Sequence, residues 1–291
     1  MTTALEVKHI NKKYKNKVVL NDINFSIQSG EIVALIGKNG AGKSTLINII
    51  TKLIQQDSGQ SKIFEKEKFD RNLIGVMMQE NISLDRITVK EIIKLTRTYY
   101  RNPMSYQAIL ALSELQNYTN HPMDKLSGGQ KRKLQFALTL AGNPDLIFLD
   151  EPTVGMDAES RTKFWERIDE LKKQGKTFLI TSHYLEELEK VANRFIFLHN
   201  QRIIFDGSLA EMGKQLKKVQ VTFNSELIKD IFNKLPDVLR VSELNHHYTL
   251  ITSDVNSLIT QLVPYLSAID NLEIRQQNLD TLMDSLIRNE E

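Results

Sequence analysis

The sequence predicts an α/β fold: a mixed, mostly parallel sheet covered by helices, with a helical insert and a small α+β module at the C-terminal end. Three observations predict it. Short apolar runs alternate with segments of helical period, the pattern of a sheet covered on both faces. One such run, Ile32-Val33-Ala34-Leu35-Ile36, leads through a glycine-rich turn into the helical pattern of Leu46, Ile47, Ile49 and Ile50. After Met212 the order becomes β-α-β-β-α-β, which suggests a ferredoxin-like module.

Taken in order, residues 5–10, 18–20 and 23–27 read as short strands, with turn signals at Asn21-Asp22 and Ser29-Gly30. Tyr14 falls in the polar gap between the first two. The helix after the glycine-rich turn ends near Ile54, and Asp57-Ser58-Gly59 is a turn. Residues 61–64 and 73–78 are further strands, the second ending at Gln79. Between 80 and 125 the period becomes helical. Thr88 and Glu91 form a capping-box pattern ahead of Ile92 and Ile93, and Ser105 opens a second helix carrying Ile109 and Leu112. The strand 145–149 resumes the sheet. Asp157 caps a helix with Phe164, Trp165, Ile168 and Leu171 on one side, stopped by Gly175. Strand 176–181, helix 184–191 and strands 194–198 and 202–205 complete this part. Beyond it, Ser225 opens a helix through Leu235. Strands centre on Val221, Val241, Leu250 and Leu272, and Val255, Leu258 and Leu262 mark another helix. A last helix carries Leu279, Leu282, Met283, Leu286 and Ile287. The domain reading is 1–213, with the helical insert at about 80–140, and 214–291.

The totals narrow the function. With 38 Lys+Arg against 36 Asp+Glu, the net charge of +2 is too balanced to point to nucleic acid. The absence of cysteine excludes disulfides and thiolate metal sites. No apolar run approaches the roughly 20 residues of a membrane span. The N-terminus lacks the basic and apolar regions of a secretion signal. An action on a membrane therefore calls for another chain that crosses it.

The chemistry is carried by three segments. Gly37-Lys38-Asn39-Gly40-Ala41-Gly42-Lys43-Ser44 fits the phosphate-binding pattern G-x-x-x-x-G-K-[ST], with Thr45 following. Glycines let backbone N–H groups approach a phosphate at the positive end of a helix. Lys43 adds a cation for the β- and γ-phosphates, and Ser44 a hydroxyl for Mg²⁺. Leu126-Ser127-Gly128-Gly129-Gln130 begins its serine 84 residues after Lys43 and reads as a second anion site at a helix start. An apolar strand then ends in Asp150-Glu151, a pair suited to holding Mg²⁺ and to orienting or deprotonating a water.

Together these segments resemble the ATP-binding-cassette ATPases over residues 4–210. The resemblance implies an ATP- and Mg²⁺-dependent ATPase with further roles at matching positions. Tyr14 would stack on adenine. Gln79 would sense the γ-phosphate through Mg²⁺ and the attacking water. Asp157 would speak across a dimer, and His183 would contact the γ-phosphate. It implies a head-to-tail dimer in which Ser127 and Gly129 cap the nucleotide of a partner. The partners implied are a second such ATPase subunit, identical or paralogous, and a membrane permease of about six spans. The ATPase would lie peripherally at the cytoplasmic face of the membrane. Residues 81–101 would receive a short permease helix, with Ile82, Leu84 and Ile87 as contacts.

Lys131-Arg132-Lys133-Leu134 and the C-terminal module are similar to the branch that exports antibiotics and peptides, where importers more often carry Gln-Gln-Arg. Size and composition are similar to the ATPases of exporters for amphipathic peptides such as phenol-soluble modulins. Lys38, Met156 and Phe136-Ala137-Leu138 depart from the commoner residues without removing a catalytic group. The alternative reading is a soluble cassette ATPase acting on nucleic acid, ribosomes or cluster assembly. The spacing leaves no room for a long coiled coil, and one phosphate loop is present where translation-type proteins carry two.

Overall fold

The computed structural model describes residues 2–80, 83–182, 185–216, 219–276 and 283. Its first two strands are longer than the apolar pattern suggests. β1 (Thr3–Tyr14) and β2 (Lys17–Gln28) form one antiparallel hairpin. The Asn21-Asp22 turn signal is a bulge inside β2. Asp22 takes φ 53°, and its amide donates to Asn11 Oδ1 at 2.9 Å. A residue tolerant of positive φ marks a bulge as readily as a turn. Tyr14 closes β1, paired with Lys17, so it borders the hairpin turn.

β3 (Ile32–Ile36) is buried at all five positions and leads into α1 (Lys43–Ile50). β4 (Ser58–Ile63) pairs antiparallel with β1, giving a three-stranded sheet in the order β2-β1-β4. β5 (Ile74–Met77) is followed by the helical insert: α2 (Val89–Arg97), α3 (Tyr106–Ser113) and α4 (Gly128–Leu140). The capping box predicted at Thr88 and Glu91 is formed. The insert has a core of its own that includes Val89, Ile93, Ile109, Leu115 and Leu134. β6 (Leu146–Asp150), α5 (Ala158–Lys173), β7 (Thr177–Thr181), α6 (Leu185–Val191), β8 (Arg194–His199) and β9 (Arg202–Gly207) complete the main unit.

The main sheet runs β5-β6-β7-β3-β8-β9. The pairs β5/β6, β6/β7, β7/β3 and β3/β8 are parallel. β6 and β7, like β3, are buried at every position, as strands covered on both faces must be. Parallel strands end on one edge of the sheet, and loops leaving their carboxyl ends meet there. Gly37 after β3, Gln79 just past β5 and Asp150 at the end of β6 are thereby brought to one edge.

The chain divides into compact units Met1–Asp206 and Gly207–Glu291. The second opens with α7 (Leu209–Leu216), a helix that was not foreseen. Its signal was present: Ser208 and Glu211 form a capping box, with Ser208 N donating to Glu211 Oε2 at 2.7 Å and Glu211 N to Ser208 Oγ at 3.3 Å. β10 (Val219–Asn224), α8 (Lys229–Asn233), β11 (Val238–Leu244), β12 (His247–Thr252), α9 (Val255–Leu262) and β13 (Asp270–Gln276) follow. The antiparallel sheet β11-β12-β10-β13 has the ferredoxin-like arrangement. Its core is Val221, Phe223, Phe232, Tyr248, Leu250, Leu258 and Leu262.

α8 is shorter than predicted. Ser225 Oγ donates to Ala268 O at 2.7 Å and accepts from Leu227 N, so it shapes a turn and does not open the helix. The predicted helix over 279–287 lies outside the described residues apart from Met283.

Candidate active site

At two of its glycines the turn after β3 leaves no room for a side chain, and at the third, Gly40, φ is 79° with open space around it. A Cβ on Gly37 would lie 2.5 Å from Leu198 O. Gly42 takes φ 110°, and its Cβ would meet Leu20 Cδ2 at 2.8 Å and Val19 O at 2.9 Å. Gly42 is the N-cap of α1, so no side chain caps the helix, and its first turn holds no acidic residue. The helix therefore presents uncapped amides and its positive end. Lys43 folds back over the loop, with Nζ 2.7 Å from Gly37 O. Burial pushes the Lys43 ammonium below the ordinary lysine range, partly countered by the charges of Glu151 and Asp150.

A cleft of about 360 Å³ opens at this point, lined by Val19, Asn39, Gly40, Gly42, Lys43, Ser44, Thr45, Gln79, Asp150 and Glu151. Three separate segments of the predicted site thus share one wall. Asp150 and Glu151 are 1% and 3% exposed. Thr181 Oγ1 donates to Asp150 Oδ1 at 2.5 Å, while Asp150 Oδ2 is buried with no hydrogen-bond partner. Glu151 takes φ 51°, an unfavourable backbone conformation for a glutamate. Its amide donates to Thr181 Oγ1 at 3.0 Å. Val19 was not foreseen; it arrives from β2 because that strand crosses beside Gly42.

The donor set suits Mg²⁺. A hard cation of this kind takes oxygen ligands and commonly uses one or two carboxylates together with substrate phosphates. The partnerless Oδ2 of Asp150, the Ser44 hydroxyl and the Gln79 amide oxygen supply such atoms around a phosphate-sized cleft. No cluster of three or more His, Cys, Asp or Glu occurs among the described residues. Phosphate oxygens would complete the shell.

The remaining predicted residues lie apart from this wall. Tyr14 is 44% exposed, with Lys12 Nζ 5.3 Å from its ring centroid and Lys12 itself bonded to Asp57 at 2.9 Å. Ser127 caps α4. Its Oγ accepts from Gln130 N at 3.3 Å, and its amide donates to Gln130 Oε1 at 2.9 Å. A Cβ on Gly129 would lie 3.4 Å from Gly155 O, so the α4 start sits against the segment leading to Asp157. Asp157 caps α5 and accepts from Ser160 N at 2.8 Å, a bond that lowers its carboxyl pKa. Leu84 is 47% exposed, whereas Ile87 packs against the core of the insert. His183 and Ile82 lie outside the described residues.

A second residue at the site also escaped prediction. Arg132 in α4 is 1% exposed. Its Nη1 donates to Met78 O at 2.9 Å, Gln79 O at 3.0 Å and Gln135 Oε1 at 2.7 Å. Its Nη2 donates to Asp150 O at 3.0 Å and also to Glu151 O. Burial lowers the guanidinium pKa, with Asp150 and Glu151 opposing the shift. A signal existed in the sequence: Arg132, Gln135 and Thr139 recur at helical spacing along α4 and share one face of it.

Comparison with known proteins follows the same geometry. The family described as ABC transporter matches residues 20–154. The Nod factor export ATP-binding protein I of Burkholderia orbicola (strain AU 1054) is 35% identical over 217 residues, covering 70% of each chain. The protein of the same name from Rhizobium johnstonii is also 35% identical, over 70% of this chain and 69% of its own. Among solved structures, an ATP-binding subunit of an ABC transporter superposes with a TM-score of 0.67 at 29% identity, over 73% of this chain and 92% of that one. A dimeric, post-hydrolysis ATP-binding cassette bound to ADP and Pi superposes with a TM-score of 0.64 at 28% identity, over 70% and 98%.

Proposed function

The chain belongs to the ABC transporter ATPases, and from that premise we propose that it powers an exporter by closing head to tail on a second ATPase subunit around two ATP molecules. The chain is an ATP-binding subunit, an ATPase coupled to transport, of a family that works as dimers with membrane permeases. ATP is its substrate and Mg²⁺ its metal. Among the described residues no helix is long and apolar enough to cross a membrane. We place the subunit at the cytoplasmic face, held there by a permease subunit of about six spans.

The observation that carries the reading is the single wall on which α1, the end of β5 and the end of β6 present Lys43, Ser44, Gln79, Asp150 and Glu151. Backbone amides of the loop and α1 bind the phosphates, and Lys43 neutralises their charge. Ser44, Gln79 and Asp150 would hold Mg²⁺, which would supply positive charge to offset that of the phosphates. Glu151 orients a water toward the γ-phosphate and accepts its proton. Ser127 and Gly129 of one subunit close the pocket of the other, excluding bulk water. Loss of the γ-phosphate removes the anion that joins the halves, and they part. The export direction is supported by the names of the relatives. A drug, an antibiotic or an amphipathic peptide is the proposed cargo, on the resemblance of the segment 131–134 and the C-terminal module.

Glu151→Gln tests the mechanism. Phosphate release should fall by about 100-fold or more, the size of a lost general base. With Mg-ATP, size-exclusion chromatography should show a trapped dimer. A variant that still hydrolyses ATP at the parent rate removes Glu151 from this role.

A further inference from the structure

Arg132 is a permanent cation shielded from solvent, and what it grips is informative. A guanidinium does not lose its proton in proteins, so its burial has to be answered by acceptors. Five are supplied: the carbonyls of Met78, Gln79, Asp150 and Glu151 and the Gln135 side chain. Three of those carbonyls belong to the residues whose side chains line the phosphate cleft at the ends of β5 and β6. Gln135, one turn further along α4, extends the grip by donating through Nε2 to Glu80 O.

We propose that Arg132 is the positioning residue that holds Gln79, Asp150 and Glu151 in one frame, so that metal-holding and water-orienting side chains keep a fixed separation. The two nitrogens divide the work, Nη1 on the β5 end and Nη2 on the β6 end. A planar fork spans both; an ammonium is a single point and reaches one. Neither nitrogen touches Lys43, Ser44 or Thr45, so phosphate binding by α1 is independent of the clamp. The inference rests on the reading that Gln79, Asp150 and Glu151 act on the γ-phosphate.

Full-length Arg132→Lys and Gln135→Leu proteins test it, with Arg132→Met as a more severe variant. In Arg132→Lys, kcat should fall by about 10- to 100-fold, as expected for catalytic groups displaced by about an ångström. The Mg²⁺ concentration for half-maximal binding of Mg-ATP, followed by calorimetry, should rise several-fold. ATP affinity in EDTA should stay within about twofold, because α1 is unaltered. Gln135→Leu should shift kcat and Mg²⁺ demand in the same direction by a smaller factor.

An Arg132→Lys protein with parent kcat and Mg²⁺ demand overturns the proposal. So does one in which affinity in EDTA, melting temperature and kcat fall together, the mark of general damage. Glu151→Gln tests the underlying reading separately. A dead Glu151→Gln with a normal Arg132→Lys defeats the positioning role alone, and an active Glu151→Gln defeats the reading beneath it.

Discussion

Two helices of this chain begin beside glycines, and their N-termini are built in opposite ways. α1 starts on Gly42 with no side-chain cap, no acidic residue in its first turn and a buried lysine at its first position. α4 starts on Ser127 inside a closed capping box with Gln130. An uncapped terminus leaves its first amides for an external anion. A capping box has already satisfied two donors from within the chain. The glycine loop is thus ready for phosphate in a lone subunit. At the Ser127 end the backbone amides of Ser127 and Gln130 are already paired within the chain, while the hydroxyl that accepts from Gln130 keeps its own proton to donate. In the proposed head-to-tail dimer, that difference would let one motif hold nucleotide in a lone subunit while the other joins when a partner closes.

The comparison is broken most severely at α1. Lys43→Met removes the cation proposed to meet the phosphates, and ATP affinity measured by calorimetry should fall by roughly 10- to 100-fold. Lys43 also stands largely buried, with Nζ on Gly37 O, so its charged form is costly in the nucleotide-free protein. The melting temperature without nucleotide should therefore hold or rise. A variant that melts much lower and still binds ATP normally would show that the lysine serves the fold.

The Ser127 end is broken without touching binding. Ser127→Arg should leave monomer affinity for ATP intact and abolish hydrolysis, because the arginine obstructs the pocket of the partner. Mixing Ser127→Arg with Lys43→Met protein is more discriminating. In a head-to-tail pair of one of each, one pocket combines an intact glycine loop with an intact Ser127 and the other has neither. With free exchange of subunits, about a quarter of all pockets should be whole, and activity should recover to that order. A mixture as inactive as its components argues that the pockets are not shared in this way.

How much of this was legible in the sequence follows from how local each signal is. The glycine loop, the β6 strand with Asp150-Glu151 and the caps at Thr88, Ser127 and Asp157 are consecutive residues whose chemistry is set by near neighbours, and each was found. The bulge at Asp22 was misread because a positive φ is also what a turn requires, and only pairing with β1 decides between them. α7 was overlooked although Leu209, Met212 and Leu216 recur at helical spacing behind its capping box. Arg132 was seen only as part of a basic tripeptide; its acceptors are 53 and 54 residues away on one side and 18 and 19 on the other. The spacing of Arg132, Gln135 and Thr139 could have drawn attention to the residue, but no local pattern reveals backbone partners at that separation.

A gentler way to sharpen the comparison is pH. Burial places the Lys43 pKa below that of an ordinary lysine in the nucleotide-free protein, and bound phosphates raise it. The nucleotide complex therefore takes up a proton once the pH exceeds the depressed value. ATP affinity should decline as pH rises through it, at a lower pH than an exposed lysine would give. The stability of the nucleotide-free protein responds with the opposite sign. A group with a depressed folded pKa adds stability above its unfolded value and loses it as pH falls through the folded one. Lys43→Met should flatten both curves, whereas Ser127→Arg should flatten neither.

The smallest expected effect lies in the cap itself. Ser127→Ala opens the box that Ser127 Oγ and Gln130 close. A lost N-cap costs about 1 kcal/mol, which in a unit of this size lowers the melting temperature by roughly 2–4 °C. If the cap only stabilises α4, hydrolysis should follow that loss and no more. If the hydroxyl also meets the γ-phosphate of a partner, hydrolysis should fall by about tenfold, the worth of one hydrogen bond to a charged group. Ser127→Thr separates the two, since threonine keeps a capping oxygen and adds a methyl group in the path of the phosphate. A Thr variant with the parent melting temperature and a reduced rate assigns the hydroxyl to the dimer; parent values for both assign it to the helix alone.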